Sequence, residues 1–194
     1  FSGFFNKNKF KCIILRFLNT KLLFIFKMSR NRQNLNSMYL HDLSALEIVK
    51  IMNSEDAKIT EIVKHSLPEI AKAVELIEKR LKEGGRLFYV GAGTSGRLGV
   101  IDASECPPTF RTHSEKIQGI MAGGEKALVN AIEGVEDDSI AGESIIRNKK
   151  VDKRDVIVGI SASGKTPFVL AAIKYASKQG ASTIGLTCNY SSQL

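Results

Sequence analysis

Two short segments of the chain combine glycine with serine and threonine in a way that favours phosphate binding. The first glycine segment is residues 91–97, GAGTSGR, and the second glycine segment is residues 161–167, SASGKTP. Each follows an apolar run and precedes a stretch with helical spacing. Backbone N–H groups, hydroxyl groups and the positive end of a helix dipole can then converge on one anion. The two segments together predict a site for a small phosphorylated ligand.

Eight residues of these segments are the candidate phosphate ligands. They are Gly93, Thr94, Ser95, Gly96, Ser161, Ser163, Gly164 and Thr166. Hydroxyl and backbone donors hold a phosphate ester without a metal ion, so we expect neither a metal nor another cofactor. Serine and threonine are also common helix caps, but two glycine-flanked copies at strand ends favour binding. Arg97 and Lys165 are either additional positive charges near the phosphate or solvated side chains.

Two nucleotide-binding patterns overlap these segments. Gly91, Gly93 and Gly96 fit the dinucleotide pattern G-x-G-x-x-G, but the acidic residue expected at the end of the next strand is missing. Residues 159–166 fit the pattern G-x-x-x-x-G-K-[ST] of a P-loop. No apolar strand ending in Asp follows to help hold Mg²⁺, and the first segment would have no role. We therefore favour a small phosphate ester and keep nucleotide hydrolysis as an alternative.

Apolar strands alternate with helical stretches over the second half of the chain. The sequence predicts strands at residues 87–90, 117–122, 156–160 and 183–187, and helices at 95–104, 125–137 with a continuation to about 147, and 167–179. Near-continuous apolar strands separated by helices are typical of a parallel sheet covered on both faces. We therefore predict an α/β fold with an open doubly wound parallel sheet. Ligands of such sheets bind at the carboxyl ends of the strands, where both segments fall.

Helices are predicted before the first strand. Residues 44–47, SALE, form a capping box for a helix that runs to about Asn53. A second helix is expected over residues 55–66, and Pro68 begins a third that ends at Gly84. We predict an N-terminal helical segment at residues 28–76 and a phosphate-binding α/β domain at 77–194. Because the chain ends seven residues after the last predicted strand, we expect this domain to continue beyond it.

Residues 1–27 differ in composition from the rest of the chain. They hold six of the 28 basic residues and no acidic one, which leaves 22 basic against 20 acidic residues elsewhere. The net charge of +8 therefore gives no reason to expect a nucleic acid partner. Arg16 and Lys21 interrupt the apolar run of this segment, which argues against a membrane span. We treat residues 1–27 as a leader or non-native segment and expect the natural protein to begin near Met28.

Several motifs resemble the N-acetylmuramic acid 6-phosphate etherase family. Residues 87–109, LFYVGAGTSGRLGVIDASECPPT, are similar to the family signature, as are residues 121–125, 131–137 and 158–167. Residues 29–47 resemble the N-terminus of the family. The resemblance implies the sugar isomerase fold, a flavodoxin-like arrangement, and a cytoplasmic homodimer whose active site draws on both subunits. Three cysteines without CxxC spacing agree with a reducing compartment.

The resemblance also implies an activity and two catalytic residues. The substrate would be N-acetylmuramic acid 6-phosphate, cleaved to N-acetylglucosamine 6-phosphate and D-lactate in cell-wall amino-sugar recycling. Such an elimination needs a general acid and a general base. We expect Glu105 to be the acid, at a helix end before Pro107 where the dipole favours the protonated form. The family motif places the second carboxylate, the base, at Glu136, although spacing alone does not choose it over Glu133.

Two alternatives use the same fold with a different function. A sugar-phosphate sensor that regulates a partner would keep Ser95 and Ser163 and would need neither carboxylate. An aldose–ketose isomerase would act on a phosphosugar of another kind. Because a fold does not fix a function, the choice rests on the motifs around Glu105 and Glu136, which favour the lyase.

Overall fold

The computed structural model of the chain describes residues 14–17, 34–189 and 192–194. Of the predicted leader, residues 1–27, all but Ile14–Phe17 lie outside the described residues. Within them the strands are β1 (Ile14–Phe17), β2 (Leu87–Gly91), β3 (Ile117–Met121), β4 (Val156–Ile160) and β5 (Ser182–Thr187). The α-helices are α1 (Ala45–Lys64), α2 (Leu67–Lys82), α3 (Gly93–Phe110), α4 (Lys126–Val129), α5 (Ser139–Asn148) and α6 (Pro167–Lys178). Two short 3₁₀ helices, Leu35–Ser37 and Leu40–Asp42, precede α1.

The strands form one sheet in the order β1-β5-β4-β2-β3. Strands β2 to β5 are mutually parallel, and β1 pairs antiparallel with β5. The four parallel strands are the four that the sequence predicts. In the sheet, β3 lies on one side of β2 and β4 lies on the other side of β2. The strand order therefore reverses between β2 and β4, which is where such sheets bind ligands.

Helices cover both faces of the parallel strands, so the predicted fold class is confirmed. On one face, Phe88 and Ile157 pack with Val169 and Ile173 of α6, and Ile146 of α5 belongs to the same core. On the other face, α2 and α3 lie against the sheet. The members of the second core are Ala73, Leu76, Ile77, Leu81, Leu87, Tyr89, Ile117, Val156, Val158, Ile160, Ile184 and Leu186. Each large apolar side chain buried this way contributes about 2 kcal/mol to stability.

Helix α3 lies close to the sheet because glycines occupy the contact on both sides, Gly99 on the helix and Gly119 on β3. A Cβ atom on Gly99 would lie 2.7 Å from the Tyr89 Cβ, and one on Gly119 would lie 2.5 Å from the Val100 Cα. Side chains at these positions would push the helix away from β2 and β3. This packing fixes the start of α3 above the carboxyl end of the sheet.

An ion pair joins the amino ends of β2 and β4. Arg86 donates from its backbone N and its Nε to the Asp155 Oδ1, at 2.9 and 3.1 Å, and from its Nη2 to Oδ2 at 2.7 Å. Asp152 N also donates to the Asp155 carboxylate. Hydrogen bonding to Asp155 raises the pKa of Arg86 further. Asp155 is buried, so this network holds a charge that water does not reach.

Helix α1 is a single continuous helix, whereas the sequence predicts a break near Asn53. The predicted capping box is present: Ser44 N donates to the Glu47 carboxylate, and Glu47 N donates to the Ser44 Oγ. These bonds from Ser44 lower the pKa of Glu47. Asn53 and Ser54 are weak helix formers but, unlike glycine or proline, do not end a helix. No residue of α1 is buried, and no helix of the described part of the chain is long and apolar enough to cross a membrane.

Helix α2 connects the two segments predicted as separate units. It spans Leu67–Lys82 and packs Ala73, Leu76 and Ile77 against the sheet. The boundary expected between residues 76 and 77 falls inside this helix.

Candidate active site

The two glycine segments lie next to each other at the carboxyl edge of the sheet. Strands β2 and β4 are neighbours, and Gly91 at the end of one is paired with Ile160 at the end of the other. The first segment leads into α3 and the second into α6. Both helix N-termini therefore lie at the carboxyl ends of the strands, as the sequence predicts. The strand order reverses at this same point.

The first glycine segment exposes the start of α3. Ala92 is the N-cap and makes no side-chain capping bond, so the first N–H groups of the helix have no capping partner within the helix. Gly93 has a φ of +55° with open space around it, and Gly93 and Thr94 are exposed. Gly96 is required for packing, because a Cβ there would lie 2.8 Å from the Gly91 carbonyl oxygen. Ser95 is half-buried in the first turn.

The second glycine segment folds around its own hydroxyl groups. The Ser161 Oγ is 2.8 Å from the Thr166 Oγ1 and accepts a bond from Gly164 N at 3.1 Å. Ser163 is exposed, and its Oγ accepts from Lys165 N at 3.3 Å. Thr166 is the N-cap of α6, and the Lys165 side chain is exposed. The buried Ser161 therefore shapes the loop, while Ser163 and Thr166 are closer to solvent.

Gly164 is the position of the second segment that tolerates substitution least. Its φ is +65°, and a Cβ there would lie 2.1 Å from the Ser192 Cβ. We expect Gly164→Ala to reduce the free energy of unfolding by about 2 kcal/mol more than Gly124→Ala, which has the same φ and open space. Urea denaturation followed by circular dichroism measures both. Equal losses in the two variants would mean that Ser192 moves aside without cost.

A third segment contributes to the site, and here the helix prediction is wrong. The sequence predicts one helix over residues 125–137 and on to about 147. Instead α4 ends at Val129, and residues 130–138, the acid loop, have no regular structure before α5. Gly134 adopts a φ of +79°, and the Asp138 carboxylate caps α5 by accepting from Ala141 N. Glycine is common where a helix ends, and aspartate is common at the N-cap where a helix begins. The prediction relied on the apolar spacing and did not use these two signals. Glu136 therefore lies on a loop.

The acid loop is fastened at both ends to the helices that follow the glycine segments. Phe168 N, in the first turn of α6, donates to the Glu136 carbonyl oxygen at 3.0 Å. At the other end, the Arg97 guanidinium of α3 donates to backbone carbonyls of Ala127, Leu128 and Asn130. Sequence patterns gave no indication of these two connections. They bring Glu136 to the carboxyl edge of the sheet.

A cavity of about 300 Å³ lies where the three segments meet. The first segment contributes Gly93 and Arg97, the second contributes Thr166, and the acid loop contributes Glu133 and Glu136. The remaining lining residues are mostly apolar: Ala92, Met121, Ala122, Ala127, Asn130, Ala131, Ile132 and Val135. Both acids are exposed to solvent. The cavity thus combines a helix N-terminus, a hydroxyl group and two carboxylates, which can hold a phosphate ester and move a proton.

Glu105 does not line this cavity. The sequence predicts that Pro107 ends the helix after Glu105, but α3 continues to Phe110 with both prolines inside it. Each proline removes its own N–H bond, and helix geometry on either side persists until Arg111, which adopts a φ of +56°. Glu105 is therefore an exposed residue within the helix, whereas the sequence predicts it at the helix end. With a rise of 1.5 Å per residue, it lies about 18 Å along the axis from Gly93.

Tyr89 on β2 and Cys106 on α3 both interact with Asp102, three residues before Glu105. Burial raises the pKa of the Tyr89 hydroxyl, and hydrogen bonding to Asp102 raises it further. The Cys106 Sγ donates to the Asp102 carbonyl oxygen at 3.3 Å, and burial raises the pKa of this thiol. The cysteine is therefore a protonated packing residue at neutral pH.

Relatives confirm the resemblance seen in the motifs. The chain is 48% identical over 167 residues to N-acetylmuramic acid 6-phosphate etherase 1 of Bacillus licheniformis, covering 86% of the chain and 55% of the relative. It is 48% identical over 168 residues to the N-acetylmuramic acid 6-phosphate etherase of Actinobacillus pleuropneumoniae serotype 7, with 87% and 55% covered. For the enzyme of that name from Pasteurella multocida, the identity is 49% over 158 residues, with 81% and 52% covered. The chain thus spans about half the length of these relatives.

Solved structures and a family profile agree on the fold. The phosphoheptose isomerase of Neisseria gonorrhoeae superposes with a TM-score of 0.57 at 21% identity, covering 72% of this chain and 73% of that one. The phosphoheptose isomerase of Francisella tularensis gives a TM-score of 0.55 at 21% identity, with 75% of each chain covered. The profile of the glucokinase regulatory protein N-terminal SIS domain matches residues 69–177, more than half of the chain. The chain therefore belongs to this family of SIS domains.

Proposed function

We propose that the cavity binds a phosphosugar with its phosphate at the two glycine segments. The start of α3 offers backbone N–H groups around Gly93 and Thr94, and Thr166 adds a hydroxyl at the start of α6. Ser95 and Ser163 lie beside these groups in sequence and complete the proposed set of donors. Two helix dipoles directed at one place favour a dianion such as a phosphate monoester. Ser161, Gly96 and Gly164 would shape the site rather than face the ligand.

We propose that the reaction is that of the named relatives, cleavage of the lactyl ether of N-acetylmuramic acid 6-phosphate. The observation that carries this proposal is the cavity in which both glycine segments meet Glu136. The ether bond joins C3 of the sugar to the lactate oxygen, β to the aldehyde carbon of the open-chain form. A base can therefore remove the C2 proton, and the lactate oxygen leaves as an acid protonates it. Water then adds at C3, which gives N-acetylglucosamine 6-phosphate and D-lactate.

Glu136 is the proposed base because it combines a fixed backbone with a free carboxylate. Its carbonyl oxygen accepts a bond from Phe168 N, two residues after Thr166, and Glu136 lines the cavity. A carboxylate at this position faces the sugar carbons of a ligand whose phosphate lies at the glycine segments. Glu133 lines the same cavity and remains the alternative within this chain. Carboxylates alone can carry out this elimination, so the proposal needs no cofactor.

The proposed acid, Glu105, would come from a second copy of the chain. About 18 Å along α3 separates it from Gly93, where the phosphate is proposed to lie, and it does not line the cavity that Glu136 lines. Glu105 shares a helical face with Leu98 and Ile101, both more than half exposed. An exposed apolar face of this kind is suited to burial against another subunit. We therefore propose a homodimer with shared active sites, acting in the cytoplasm in the recycling of cell-wall amino sugars.

Parallel assays of lactate release, product binding and aldose–ketose conversion separate this proposal from a sensor and from an isomerase. The chain is incubated with N-acetylmuramic acid 6-phosphate, and D-lactate is measured enzymatically while calorimetry measures binding of N-acetylglucosamine 6-phosphate. We expect lactate release together with binding of the product. Binding without lactate release would contradict the etherase and favour a sensor. Conversion of an aldose phosphate to a ketose phosphate without lactate release would favour the isomerase.

A further inference from the structure

Arg97 uses its guanidinium group to hold the end of α4. Its Nε donates to the Leu128 carbonyl oxygen at 2.8 Å, and its Nη2 donates to those of Ala127 and Asn130 at 2.6 and 3.0 Å. These carbonyls lie at the negative end of the α4 dipole. A helix of four residues, Lys126–Val129, has little stability of its own. The three bonds from Arg97 therefore connect α4 to α3.

The acid loop begins where this connection is made. It starts at Asn130, whose carbonyl oxygen is one of the three that Arg97 binds. Glu133 and Glu136 follow in the loop before α5 begins. Its other attachment is the bond from Phe168 N to the Glu136 carbonyl oxygen. We propose that Arg97 is a positioning residue that holds the acid loop so that Glu136 stays on the cavity. This inference rests on the proposed function of Glu136.

The geometry distinguishes this role from phosphate binding. The Nε and Nη2 of Arg97, one edge of the planar guanidinium group, are occupied by backbone carbonyls although the residue lines the cavity. A lysine could replace a positive charge that only attracts a phosphate. It could not replace three bonds made in fixed directions by a planar group. The Arg97→Lys variant therefore separates the two roles.

The test compares Arg97→Lys and Arg97→Ala with Arg154→Ala. Arg154 is an exposed residue paired with Asp152 at the amino edge of the sheet. In both Arg97 variants we expect amide hydrogen exchange of residues 126–136 to accelerate about tenfold, while β4 keeps its protection. We expect the kcat of lactate release to fall about 100-fold with KM within about threefold. The Arg154→Ala variant should match the unmutated chain in both measurements.

Three results would overturn the inference. Unchanged exchange in residues 126–136 would show that Arg97 does not hold the loop. Recovery of kcat in Arg97→Lys would show that only its charge is needed. A loss confined to KM would make Arg97 a substrate ligand. If the unmutated chain released no lactate, the proposed function and the catalytic part of this inference would both fail, and the exchange rates would still decide whether Arg97 anchors the loop.

Discussion

Replacing Glu136 by Gln is expected to lower the rate of D-lactate release by about 1,000-fold. The amide has nearly the same size as the carboxylate but cannot accept the C2 proton. The bond from Phe168 N to the Glu136 carbonyl oxygen is a backbone bond and remains in the variant. Binding of N-acetylglucosamine 6-phosphate should therefore stay within about threefold of the unmutated value, because the phosphate donors are unchanged. Coupled detection of lactate and calorimetry measure the two effects.

A matched control and a mixing experiment sharpen this prediction. Glu143 pairs with Arg147 on the exposed side of α5, and Glu143→Gln should leave the rate of lactate release unchanged. When Glu136→Gln and Glu105→Gln chains are unfolded together and refolded, half of the dimers are mixed. Each mixed dimer has one intact site if Glu105 acts across the interface, so about a quarter of the activity should return. Absence of any recovery would contradict the shared site.

Replacing Asp155 by Ala is expected to have the largest effect on stability, a loss of about 3 kcal/mol in the free energy of unfolding. The substitution leaves two backbone N–H groups, of Arg86 and Asp152, without their acceptor. It also removes the carboxylate that pairs with the Arg86 guanidinium, which keeps only its bonds to backbone carbonyls. Asp155 is buried, so water does not replace the lost carboxylate. A loss of this size is a large part of the total stability of a domain. Urea denaturation at neutral pH measures it.

An exposed ion pair provides the comparison for Asp155. Glu78 and Lys82 pair on the surface of α2, with most of both side chains in solvent. Glu78→Ala should change the free energy of unfolding by about 0.5 kcal/mol or less. Similar losses in the two variants would mean that the Arg86–Asp155 pair contributes no more than a surface contact.

The sequence predicts most of the sheet and both glycine segments because their signals are local. Apolar runs of the right length mark β2 to β5, and the glycines mark the turns that follow β2 and β4. The strand order could not be predicted in the same way, since it depends on where α3 and α6 pack. The contact of Gly99 with Tyr89 illustrates this dependence, because nothing near either residue identifies the other as its partner.

The errors occur where a local rule competes with packing. Residues 128, 131, 132 and 135 have helical apolar spacing, yet Gly134 and the N-cap Asp138 interrupt this stretch. The last three of these apolar residues line the cavity instead. Pro107 and Pro108 predict a helix end, yet α3 keeps its packing through Ala103 and Cys106 and continues to Phe110. The anchoring bonds of Arg97 join residues about thirty positions apart, beyond the range of motif spacing.

The most direct test of the proposed reaction is the fate of solvent oxygen when N-acetylmuramic acid 6-phosphate is cleaved in water enriched in ¹⁸O. Elimination followed by addition of water places the new oxygen on C3 of the sugar. We therefore predict that mass spectrometry finds one ¹⁸O at C3 of N-acetylglucosamine 6-phosphate. The hydroxyl oxygen of D-lactate, which is the former ether oxygen, should carry no label. Label in the hydroxyl group of lactate would show cleavage of the other carbon–oxygen bond and would contradict the assigned role of Glu136.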